Sequence, residues 1–208
     1  MYFNDRAEAG NILAAELSGY AGDKVSVLAI GYGGYVVGKQ IAQLLNCPIS
    51  ILYTEPIKVP GDGSTILGEV DQSGELTYNS GLSSGQLEEF ITEFHNYIDQ
   101  ERIRLVHQLN NDEDSTNKVN PISLRDRKVI VVTDAAEDGA IFDATLNFLK
   151  RISTQKVIAA IPIASVKAVD RLHVLFDELH CLSVVENFVS ADHYFEESLG
   201  TTGEIYLQ

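Results

Sequence analysis

The chain has 208 residues, of which 45% are apolar and 22% charged, an ordinary balance for a globular protein. Thirty Asp and Glu against 15 Lys and Arg give a formal charge of −15. Such a field repels polyanions and argues against nucleic acid or an anionic membrane as a partner.

In chain order, the N-terminal stretch MYFNDRAEAGNILAAEL carries acids and no long apolar block, unlike a signal peptide. Asn4 or Asp5 can cap a first helix with Ile12, Leu13 and Leu17 on one face. Val25 to Ile30 (VSVLAI) reads as a buried strand, GYGG follows, and a helix runs through Val36, Val37, Ile41 and Leu44. Pro48 to Tyr53 reads as a second strand. Pro56, Pro60, Gly61 and Gly63 then predict an irregular excursion. Leu67 to Val70 and Glu75 to Tyr78 flank Asp71-Gln-Ser-Gly74 as a hairpin. A long helix follows over about Ser84 to Leu109, its apolar stripe suited to a core or a dimer contact. Asn110 to Asn120 is polar and acidic and reads as a mobile loop.

Alternation returns at Lys128 with strand VIVV, a helix through Ala144, Leu146, Phe148 and Leu149, strand Val157 to Pro162, a helix through Val169, Leu172 and Leu175, and strand Cys181 to Val185. The longest apolar stretch, Val157 to Val166, contains Pro162 and is too short to cross a bilayer, so a cytoplasmic location is expected. Cys47 and Cys181 lie far apart, with no CxxC and no Cys/His cluster at metal-ligand spacing. The fold class predicted is α/β: one domain over residues 1–208, a doubly wound parallel sheet interrupted at about 56–120 by the hairpin, the long helix and the loop.

In such sheets ligands sit at the carboxyl ends of the strands, which singles out Gly31 to Gly34 and Thr133 to Gly139. The second lies in VIVVTDAAEDGAIF, a strand–loop–helix form that normally receives a phosphate, yet it carries Asp134, Glu137 and Asp138 and no base. Three readings stand. Acids there can simply stabilise the start of the next helix, with Asp143 in its first turn. Asp134, Glu137 and Asp138 can supply oxygens to a divalent cation. The loop can also receive a cationic or neutral small molecule. Gly31, Gly33 and Gly34 serve either a tight turn or a ligand, and Tyr32 either covers the sheet edge or lies over a ligand ring. The five histidines, His95, His107, His173, His180 and His193, are not paired at ligand spacing, and no GxSxG supports a serine nucleophile. No catalytic residue is assigned.

FNDRAEAGNILAAEL, LAIGYGGYVVGKQIAQLL, LGEV with its polar turn, VIVVTDAAEDG, VIAAIPIAS and NFVSADHYFEE, taken in order, resemble the type I phosphoribosyltransferases, best the branch labelled simply "predicted phosphoribosyltransferase". The resemblance implies a doubly wound fold that transfers 5-phosphoribosyl from phosphoribosyl pyrophosphate with magnesium, often as a homodimer. The family motif is four apolar residues, two acids, three loop residues and Thr-Gly-x-Thr. The acids hold ribose hydroxyls, and the last part holds the 5-phosphate at a helix N-terminus. Here the first acid is Thr133 and the second is kept as Asp134. Asp138 stands for the first threonine, Gly139 is kept, and Ile141 stands for the closing hydroxyl. Tyr32-Gly33-Gly34 replaces the Arg-Gly-Gly of the pyrophosphate loop, and Glu55 and Pro56 replace a basic pair, with Lys58 two residues on.

The resemblance therefore places a ligand against Tyr32, Gly33, Gly34, Asp134, Ala135, Ala136, Glu137, Asp138, Gly139, Ala140 and Ile141. Two unit charges about 4 Å apart repel by roughly 4 kcal/mol at an effective dielectric near 20. The expectation is a degenerate donor site serving a binding or regulatory module. One alternative is an active, magnesium-dependent transferase; another is a structural partner protein.

Overall fold

The structure is a computed structural model and describes residues 2–63, 65–111, 117–137 and 141–199. Asp5 accepts a hydrogen bond from the Glu8 N–H and starts α1 (Arg6–Glu16), which turns Leu13 and Ala14 inward. Every residue of β1 (Val25–Ile30) is buried, as a parallel strand covered on both faces requires. α2 (Gly31–Leu45) begins at once and ends at Asn46, whose φ of 49° makes it a left-handed cap. Its inward face is Val37, Ile41 and Leu45, whereas Leu44, expected there, is 48% exposed. β2 (Ile49–Leu52) pairs parallel with β1.

β3 (Thr54–Lys58), β4 (Ile66–Asp71) and β5 (Leu76–Tyr78) form a separate antiparallel sheet in that order. The hairpin is as expected, but Pro56 does not break the chain; it lies in β3, an edge strand, where a missing N–H is tolerated. α3 (Ser84–Asn111) bends at Phe94 (φ −109°, ψ 19°) and lays Ile98 and Leu105 on Ile57, Val59, Leu67 and Val70. Its stripe thus covers the small sheet. Of the segment read as a mobile loop, residues 112–116 lie outside the described residues; Lys118 bridges to Ile51 and Val119 is buried.

β6 (Lys128–Val132), β7 (Ala135–Ala136), α4 (Ile141–Lys150), β8 (Lys156–Ser165), α5 (Val166–Leu175) and β9 (Glu178–Val185) complete the fold. The main sheet is wholly parallel, in the order β2–β1–β6–β8–β9. α1 and α2 cover one face through Leu13, Leu17, Val37 and Ile41; α4 and α5 cover the other through Phe142, Phe148, Ala168 and Leu172. This is the expected doubly wound α/β architecture. The small sheet is tied to α4 by Arg151–Asp71 (2.6 Å) and Asn147–Thr77 (2.9 Å). No helix among the described residues is long and apolar enough to cross a membrane.

Candidate functional site

β1 leads outward to β2 through α2, and β6 leads the opposite way to β8 through α4 on the other face. The chain direction therefore switches between the carboxyl ends of β1 and β6, where such folds open a ligand crevice. The two stretches singled out in the sequence meet there. Gly31 has φ 65°, a conformation side chains disfavour. A Cβ on Gly34 would lie 2.5 Å from the Val132 carbonyl oxygen, and one on Gly33 would lie 2.5 Å from Cγ of Asp134. The glycines thus let α2 start flush against the end of β6, which accounts for them as a packed turn. Tyr32 is 37% exposed on the same turn and stacks on Tyr35, ring centroids 6.4 Å apart.

The acidic stretch is less of a loop than its composition suggests. β7 pairs with β8 in the register already set by β6, so residues 128–136 follow one strand line interrupted only at Thr133 and Asp134. Ala135 and Ala136 therefore lie in a strand, and Ala136 is buried among the side chains facing α4 and α5. Pro162, which lacks an N–H, is level with the gap in that register. Glu137 is exposed, and its carbonyl accepts a hydrogen bond from the Ser165 hydroxyl. Asp138, Gly139 and Ala140 lie outside the described residues. Ile141 packs against the apolar cluster rather than standing free. Asp143, in the first turn of α4, pairs with Arg171 and accepts from the Ser80 N–H.

Asp134 has a partner that sequence reasoning did not single out. Nε of Arg6 donates to its Oδ2 at 2.8 Å, and the Arg6 side chain is only 3% exposed. Oδ1 faces the Thr133 hydroxyl at 3.5 Å, too long for a good hydrogen bond. The same guanidinium donates to Asp192 at 2.6 Å and lies over the Phe195 ring at 4.4 Å. The Arg6 hydrogen bond lowers the pKa of Asp192. Arg6 is shared between two carboxylates, so the trio of Arg6, Asp134 and Asp192 keeps one net negative charge, and the cation ties up Asp134 without making the site less acidic. Among the described residues no group of three His, Cys, Asp or Glu is arranged to hold a metal ion. The clue in the sequence was an arginine at helical spacing with Ala9, Leu13 and Ala14, on the buried face of α1.

The model of the phosphoribosyl transferase domain matches residues 4–196. The chain belongs to that family. The protein TT1426 from Thermus thermophilus, known as a crystal structure, is 28% identical, with a TM-score of 0.76 over 97% of this chain and 94% of its own. Two Mycobacterium tuberculosis proteins, named "Putative phosphoribosyl transferase Rv0571c" and "Putative phosphoribosyl transferase MT0597", are each 24% identical over 208 residues, 97% of this chain. The chain spans about half the length of these curated relatives, 45% of each. β6 ends at Val132, and Thr133 and Asp134 follow it directly.

Proposed function

We propose that this phosphoribosyl transferase domain binds, at the β1/β6 crevice, a small ligand less anionic than phosphoribosyl pyrophosphate, and acts as a binding or regulatory module without transferring a phosphoribosyl group. The observation that carries the reading is the Arg6–Asp134 ion pair: the one acid kept from the ribose-binding pair already spends Oδ2 on a buried guanidinium. Supporting it, Ile141 is used for packing where the family motif has a hydroxyl, and Tyr32 stands where the resemblance has an arginine. The test is calorimetric titration with phosphoribosyl pyrophosphate and magnesium. Binding weaker than about 100 µM, roughly 5.5 kcal/mol, is expected; tighter binding overturns the reading.

The second reading is an active transferase that uses magnesium at Asp134, Glu137 and Asp138. The family match along residues 4–196 favours it, and tight binding that requires magnesium in the same titration supports it. Engagement of Asp134 by Arg6 weighs against Asp134 as a metal ligand, because a second cation must displace or crowd the first.

A further inference from the structure

Asp134 and Asp192 come from distant parts of the chain, yet both bind one guanidinium. Nε of Arg6 donates to Asp134 at 2.8 Å, Nη2 to Asp192 at 2.6 Å, and Nη1 reaches the Glu197 carbonyl at 3.4 Å. We propose that the C-terminal segment 186–199 belongs to the apparatus of the crevice: Asp192, acting through the positioning residue Arg6, fixes the carboxylate of Asp134 at the switch point.

Three features carry this. First, the guanidinium is a rigid planar fork, so turning it toward or away from one carboxylate moves it relative to the other. It is also clamped over Phe195, which belongs to the same segment as Asp192. Second, the segment is laced to the residues just before α1. Phe3 N–H donates to the Tyr194 carbonyl, Glu196 N–H to the Phe3 carbonyl, and Glu197 N–H to the Asn4 carbonyl, each at 3.0 Å. A displacement of the segment therefore carries the start of α1, and Arg6 with it. Third, Asp134 has little slack, because Gly33 packs so closely that a Cβ there would meet the Asp134 carboxylate, nearest to Oδ2, the oxygen that Arg6 holds. Its orientation is set by Arg6, and the orientation of Arg6 by Asp192 and Phe195. The inference stands on these contacts and does not depend on what the crevice binds.

The test is amide hydrogen exchange in Asp192→Asn, a substitution that keeps size and removes charge at a side chain 53% exposed. Exchange at residues 133–137 is expected to rise about tenfold, equivalent to about 1.4 kcal/mol. Residues 27–29, inside β1, are expected to keep wild-type rates. Arg6→Lys is expected to reproduce the rise, since one ammonium cannot span both carboxylates. Phe195→Leu, which keeps an apolar side chain and removes the ring under the guanidinium, is expected to act in the same direction. Faster exchange confined to residues 186–199 in both Asp192→Asn and Phe195→Leu overturns the proposal and leaves the segment a packed tail.

Discussion

The carboxylate of Asp134 fills the space that a side chain on Gly33 would need: a Cβ there would lie 2.5 Å from Cγ of Asp134. An aspartate end can usually swing aside, but this one is held by Arg6 at 2.8 Å. Gly33→Ala is therefore expected to destabilise by about 1–3 kcal/mol, the usual cost of overpacking. Gly85→Ala is the control. Gly85 is exposed in the first turn of α3 with nothing within 4 Å of its would-be Cβ, so alanine there is expected to stabilise by about 0.5–1 kcal/mol. Urea unfolding measures both. A Gly33→Ala protein as stable as wild type would mean that Asp134 moves freely.

Asp71 anchors the small sheet. It is 2% exposed at the end of β4, accepts from the N–H groups of Ser73 (2.8 Å) and Glu75 (3.1 Å), and pairs with Arg151 at the end of α4 (2.6 Å). One carboxylate thus closes the hairpin turn and docks it onto the main fold. Asp71→Ala removes a buried carboxylate that closes the turn, while its donors on Ser73, Glu75 and Arg151 are exposed enough for water to serve them in part, so a cost of about 1–2 kcal/mol is expected. Exchange should quicken first in β4 and β5. If only global stability falls, with no local opening of the hairpin, the anchoring role is wrong.

The parallel core was legible because its strands are short apolar runs separated by helical spacing; β1 was located to the residue. Three features were not. β3 was hidden by Pro56, because edge placement is decided by strand order and not by local propensity. β7 was hidden because Ala135-Ala136 has little strand propensity; it is a strand because β8 runs on beside it to Ser165. Arg6 was hidden because its partners, Asp134 and Asp192, are brought to it by the fold. The acids were legible as composition, whereas the cation that pairs with Asp134 lay 128 residues away in sequence.

At the amino ends of the strands, Glu178 pairs with Lys156 and accepts from the Tyr20 hydroxyl at 2.7 Å, and these bonds bring its pKa down to about 2. A carboxyl lowered by folding adds stability above its unfolded value of 4.5, and loses it as pH falls toward the folded value. Lys156 is raised by the same pair, so its share is present throughout the acid range and is lost only at strongly alkaline pH. Stability is expected to fall between about pH 4.5 and pH 2, and less steeply in Glu178→Gln. The site is solvent-accessible, so added salt should shrink the difference. Equal slopes for the two proteins at low salt would mean that the pair is not formed in solution.

Restoring the family's phosphate-binding residues tests the charge argument at the crevice. Asp138→Thr removes a carboxylate and Asp138→Thr with Ile141→Thr restores both hydroxyls of the motif. If the native residues exclude phosphate, affinity for inorganic phosphate should rise at least tenfold in the double variant, equivalent to about 1.4 kcal/mol, and in part with Asp138→Thr alone. The second substitution has a cost of its own, because Ile141 packs against the apolar cluster beside α4. A loss of about 1–2 kcal/mol in stability is expected from trimming that side chain and adding a hydroxyl. Calorimetry with phosphate and urea unfolding on the same samples separate the two effects. A double variant that folds, loses stability as expected and gains no phosphate affinity would place the source of exclusion elsewhere in the crevice, with Tyr32 the next residue to replace, by arginine.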